Sequence, residues 1–93
     1  MVLAGLLLAA GAVAQTTRPA DTVSMRAEPV AADTWFVQGQ SALGSSANQN
    51  FISNAAFVIT PDGVLVIDAL GSPPLAERLL ALIREKTAQP VRY

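Results

Sequence analysis

The sequence predicts an α+β fold, and three observations carry that prediction. Two short apolar runs, Ala55 to Thr60 and Val64 to Ile67, flank the tight turn Pro61-Asp62-Gly63 and read as a β-hairpin ending at Asp68. A third run, Thr34 to Gln38, is rich in aromatic and β-branched residues and reads as another strand. After the hairpin, Ser72-Pro73-Pro74 opens a stretch whose leucines recur at helical spacing.

Each element follows from local chemistry. Residues Thr22 to Pro29 mix polar and apolar side chains and fit a short edge strand. In the next strand Trp35 and Val37 share one face and Phe36 takes the other, because strand side chains alternate. Trp35 and Phe36 are expected in the core. Gly39 to Asn50 is small, polar and glycine-containing, which predicts a loop. In the hairpin turn, proline presets φ, aspartate caps locally and glycine accepts a positive φ. Ser72 is a suitable N-cap, and Pro73 fits the first helical position. Leu75, Ala76, Leu79, Leu80, Leu82 and Ile83 then fall on one side, with Glu77, Ala81, Arg84 and Glu85 mainly opposite. Arg84 and Lys86 suit the negative end of the helix dipole. The helix is expected to stop near Thr87, before Pro90, and Val91-Arg92-Tyr93 reads as the opening of a further strand.

Both hairpin strands are apolar without alternation, which predicts a sheet covered on both faces. One helix covers one face. A domain this small buries only about 60% of the surface of its unfolded chain. Residues 24–93 are therefore expected to be the front of a larger domain. The competing expectation is a small exported α+β protein that covers its sheet by self-association.

Residues 1–14 form an uncharged apolar run ending Ala12-Val13-Ala14, the small-x-small pattern of a secretory signal peptide. No Lys or Arg precedes the run, so the amino terminus alone or an upstream start supplies the positive charge. The run is shorter than the roughly 20 residues that cross a bilayer as a helix. It is expected to be a signal peptide, 1–14, followed by a linker, 15–23; a buried N-terminal helix is the alternative. Localisation is accordingly read as exported, periplasmic or secreted, with no stable membrane anchor.

All 6 basic and 7 acidic residues follow Ala14, so the rest of the chain is close to neutral. It lacks the basic patch of a nucleic-acid binder. The chain contains no Cys and no His. This excludes a disulfide scaffold and thiolate metal sites, and removes the commonest general base. Asp62 and Asp68 bracket a strand and stand roughly 20 Å apart, too far for shared acid–base work.

The ordered combination Asn54-Ala55-Ala56-Phe57-Val58-Ile59, Pro61-Asp62-Gly63, Val64-Leu65-Val66-Ile67-Asp68, the helix Pro74 to Thr87 and Pro90-Val91-Arg92-Tyr93 resembles the metallo-β-lactamase superfamily, most of all its exported, periplasmic zinc hydrolases. The resemblance covers about Ser24 to Tyr93. It implies the front part of an αββα sandwich, an antiparallel meander followed by an amphipathic outer helix. It implies a metal-dependent hydrolase acting on a small-molecule substrate. Family members hold one or two metal ions, usually zinc, through a His-x-His-x-Asp-His motif after the next strand, where the metal activates water. That motif is expected beyond Tyr93, so no metal ligand and no catalytic residue is assigned here. Zinc is expected of the longer parent protein and not of this chain alone.

Three residues remain as candidates. The resemblance implies that Asp68 lies beneath the metal and fixes ligand geometry by hydrogen bonds; alternatively its carboxylate caps the Ala69-Leu70-Gly71 amides. Asn54 either faces the substrate groove or satisfies a turn. The loop ending at Asn50 either covers the substrate or is a solvated connection. If export is as read, mass spectrometry of the secreted product will give an amino terminus at Gln15. Retention of residues 1–14 would contradict it.

Overall fold

The computed structural model describes residues 23–93, and the signal-peptide reading lies outside them. The fold is α+β: four strands, β1 (Ala27–Ala31), β2 (Thr34–Val37), β3 (Ala55–Thr60) and β4 (Gly63–Ile67), followed by one helix, α1 (Pro73–Lys86). The strands form an antiparallel sheet in the order β1-β2-β3-β4. The first strand begins at Ala27 and not near Thr22. The residues before it pack: Val23, expected at the end of the linker, is buried, and so is Met25.

The register explains the core. Trp35 pairs with Phe57 and Val37 with Ala55, while Phe57 pairs with Val66 and Ile59 with Val64. These side chains share one face of the sheet. Leu75, Leu79 and Ile83, four residues apart along α1, cover that face and are at most 2% exposed. Phe57 is 0% exposed in the middle of the contact. Trp35 stacks on Phe57 with ring centroids 6.2 Å apart. The Lys86 ammonium sits 4.4 Å from the centre of the Trp35 ring, an attraction that adds to the favourable charge at the helix end.

The opposite face carries Phe36, Ala56, Val58, Leu65 and Ile67. Among the described residues nothing covers it. Phe36, Ala56, Val58 and Leu65 are half-buried, and Ile67 is 53% exposed. The sheet is thus apolar on both faces but covered on one, which is why its strands fail to alternate.

The helix ends as its sequence dictates. The Ser72 Oγ accepts from the Leu75 amide at 3.4 Å, Pro73 takes the first turn, and the Thr87 amide donates to the Ile83 carbonyl at 3.0 Å. The Gln89 side chain then donates to the Thr60 carbonyl at 2.9 Å, tying the exit of the helix to the hairpin turn. In that turn Gly63 has φ +128°, as expected, but the local cap is Thr60 rather than Asp62. The Thr60 hydroxyl donates to the Gly63 carbonyl at 2.6 Å and accepts from the Asp62 amide at 3.1 Å. Beyond Pro90 the chain runs parallel to β4. Val64 donates to the Pro90 carbonyl at 2.8 Å, Arg92 donates to the Val64 carbonyl at 2.9 Å, and Val66 donates to the Tyr93 carbonyl at 2.7 Å. The segment read as a strand opening thus sits beside β4 in strand fashion.

A core on one face makes mutational cost depend on the face. Urea unfolding of the chain is expected to show a loss of about 3–5 kcal/mol for Phe57→Ala and about 0.5–1.5 kcal/mol for Ile83→Val. Ile67→Ser, on the open face, should change stability by no more than about 0.5 kcal/mol. Equal losses at Ile67 and Phe57 would refute the one-sided core.

Candidate functional site

The end of the sheet where Val37, Ala55 and Ile67 lie gathers all three candidate residues. The chain leaves β2 there, makes a long loop and returns into β3. It also leaves β4 there, through Asp68, and enters α1. Because the segment from Val91 runs parallel to β4, its carboxyl end points the same way. In sheets with parallel strands, ligands bind outside the carboxyl ends. The N-terminus of α1, a source of positive dipole, also lies after the Asp68 turn.

Asp68 is exposed and its backbone is left-handed, with φ 68°. One carboxylate oxygen accepts from the Leu70 amide at 2.8 Å. This is the capping arrangement, realised at one of the three amides considered. Leu70 is left-handed as well, at φ 70°. For a leucine that conformation costs roughly 1–2 kcal/mol, since its Cβ crowds the following carbonyl. Left-handed backbone at positions 68 and 70 makes a sharp turn at the sheet end, closed by the Asp68 carboxylate on the Leu70 amide.

Asn54 is spent on structure. Its Oδ1 accepts from the Gly39 amide at 2.9 Å, pinning the start of the loop to its end. That closure needs glycine: a Cβ at position 39 would stand 2.2 Å from the Ser53 carbonyl oxygen. The bond spans fifteen residues, so Asn54 clamps a loop and does more than satisfy a local turn. Asn50 is exposed and left-handed, at φ 59°, with Gln49 at φ 56° before it. The Asn50 carbonyl oxygen lies 3.6 Å from where a Cβ on Gly71 would be, so the loop reaches the Asp68 turn. No hydrogen bond joins the side chains of Asn50, Asn54 and Asp68.

Two features of this end have no clear signal in the sequence. Asn48, 7% exposed, is the organiser of the loop. Phe51, 1% exposed, anchors the return of the loop in the core. The sequence signal for Asn48 is weak, since three adjacent side-chain amides in Asn48-Gln49-Asn50 give no hint of which is buried.

Beside Asp68 lies a shallow, mainly apolar groove of about 330 Å³, lined by Val66, Asp68, Ala69, Leu79, Leu80 and Tyr93 among others. A groove with apolar walls and one carboxylate can hold an apolar group and orient a hydrogen-bond donor. Among the described residues no group of three or more His, Cys, Asp or Glu side chains is placed to hold a metal ion. None of the described helices is long and apolar enough to cross a membrane. The chain has no significant match to any family model, curated protein or solved structure.

Asp68 offers a test of the turn. Asp68→Asn keeps the acceptor and should leave stability unchanged within about 0.5 kcal/mol. Asp68→Ala loses the bond while keeping a Cβ in the left-handed region, and should cost about 1–2 kcal/mol. Asp68→Gly loses the bond but relieves the strain, so it should fall between the two. Thermal unfolding ranks them; an alanine variant as stable as the asparagine variant would show that the bond carries nothing.

Proposed function

We propose that residues 23–93 are the first sheet and outer helix of a metallo-β-lactamase-type αββα sandwich, belonging to an exported, periplasmic zinc hydrolase that acts on a small molecule. The observation that carries this reading is the sheet with a helix on one face and half-buried to exposed apolar side chains, uncovered by any other described element, on the other. A sandwich of this type places a second sheet there, and Phe36, Val58, Leu65 and Ile67 supply a surface suited to it. The order of meander, Asp68 turn, outer helix and parallel return beside β4 agrees with the same arrangement.

The residues present do not make a zinc site. Asp68 is a single carboxylate without a cluster of other ligand types, and the chain has no His or Cys. The reading therefore takes the metal ligands from chain beyond Tyr93 and routes no chemical step through residues 23–93. Asp68 stands at the end of the sheet that would lie under such ligands. Its free oxygen would hold a ligand loop by a hydrogen bond and thereby fix ligand direction.

The same open face supports a second reading: a small exported protein without enzymatic activity that pairs with a copy of itself through the sheet. Uncovered apolar surface favours association of this kind.

The reading frame downstream of the Tyr93 codon separates the two. A strand followed by His-x-His-x-Asp-His, with stoichiometric zinc in the purified longer protein by elemental analysis, is the expected result. A stop codon after Tyr93, with a discrete dimer in sedimentation equilibrium, would overturn the hydrolase and leave the self-associating protein.

A further inference from the structure

Within a loop that is otherwise exposed, one side chain makes a dense set of bonds. The Asn48 Oδ1 accepts from the Ser45 amide and from the Asn50 amide, each at 2.9 Å. The Asn48 Nδ2 donates to the Leu43 carbonyl at 2.9 Å. Its backbone joins in: the Asn48 amide donates to the Ser45 Oγ at 3.2 Å, and the Phe51 amide donates to the Asn48 carbonyl at 2.9 Å. A buried amide group with its acceptor used twice and its donor used once has little reason to move, because each broken bond would leave a desolvated polar atom.

These bonds have a geometric consequence. The Asn50 amide is held by Asn48 while Gln49 and Asn50 are bent into the left-handed region, which throws the Asn50 carbonyl toward Gly71. The loop is thereby set against the turn that carries Asp68. The Asn48 side chain holds the first of these turns, and the Asn50 carbonyl of that turn abuts the second at Gly71.

We propose that Asn48 is the positioning residue of the candidate site: it fixes loop 39–50 as a preset wall beside the Asp68 turn, in place of a mobile solvated connection. This rests on the reading of that sheet end as the ligand-facing one. The wall acts through the loop and not through contact with a ligand, so its role is to hold Asn50 and, across the gap, the backbone of residues 68–71.

Amide hydrogen exchange and amide chemical shifts of the isotopically labelled full chain test this directly. In Asn48→Ala, exchange at Ser45, Asn50 and Phe51 should accelerate by about tenfold or more, the factor that loss of a net hydrogen bond produces. The amides of Leu70 and Gly71, some twenty residues away, should shift in the same variant, a response that a purely local packing role would not give. Asn48→Asp keeps both accepted bonds, so it should restore slow exchange at Ser45 and Asn50 and return the Leu70 and Gly71 signals to their original positions. Should the alanine variant fail to fold, Asn48→Gln, which keeps the amide but moves it out by one methylene, is measured in its place, with the same faster exchange at Ser45 and Asn50 and the same Leu70 and Gly71 shifts expected of it. Unchanged exchange in the loop, or unmoved Leu70 and Gly71 amides, would overturn the proposal. Neither result depends on zinc or hydrolysis, so failure here is distinct from failure of the hydrolase reading.

Discussion

The contact between Phe57 and the face of α1 is the constraint on which the rest of the structure depends. Phe57 lies in the third strand, with Trp35 opposite on one side and Val66 on the other, and no part of it reaches solvent. Leu75, Leu79 and Ile83 close over this row. Once α1 lies there, the chain leaving it must return along β4, because Gln89 and Pro90 are bonded to Thr60 and Val64. The parallel segment beside β4 is thus a consequence of where the helix packs. It also directs two chain ends, those of β4 and of the Val91 segment, toward the same end of the sheet.

Conformational strain collects at that end. Of the five non-glycine residues with positive φ among the described residues, four are Gln49, Asn50, Asp68 and Leu70, all in the two connections that meet there. Strain of this kind persists where surrounding structure over-determines the backbone, and it concentrates at functional sites. Here the determinants are identifiable: Asn48 bonds hold the first pair, and the Asp68 carboxylate holds the second. The opposite end of the sheet carries the two hairpin turns, where positive φ falls on Asp33 at 54° and on Gly63 at 128°. Four left-handed non-glycine residues at one end against one at the other is the asymmetry on which the proposed site rests.

Much of this was legible in the chain, and the limits have physical causes. The hairpin, the second strand and the helix with its Ser72 cap could be read because each depends on neighbours a few residues apart. The burial of Val23 and Met25 could not, since two isolated apolar residues in a polar stretch carry no period; they are buried because α1 and the sheet leave room for them. Continuous apolarity in β3 and β4 signals two apolar faces, and the single helix that follows leaves one of them open within residues 23–93. Asp68, Asn50 and Asn54 were singled out and do come to one end of the sheet, yet their division of labour was hidden. Asn54 closes the loop across fifteen residues, a partnership that no local rule suggests, and Asn48 does the organising that the loop's polar composition concealed.

The two edges of the sheet behave differently, and the difference bears on how it is completed. At β1 the edge is broken: Pro29 has no amide to donate, the register shifts between Pro29 and Ala31, and the charged pair Arg26 and Glu28 lies beside it. These are the devices by which proteins stop a sheet from growing. At the other edge the residues from Val91 have added to β4 in parallel, with three backbone bonds. Growth is therefore open on the side of β4 and closed on the side of β1. A sheet that extends from that edge lengthens the end carrying Asp68 and the Asn48 loop, and it widens the bare face of Phe36, Val58, Leu65 and Ile67 as well. The apolar face of Phe36, Val58, Leu65 and Ile67 and the end carrying Asp68 thus both reach the open edge, at Ile67 and Asp68, which is why the proposed second sheet and the proposed site are linked in one reading.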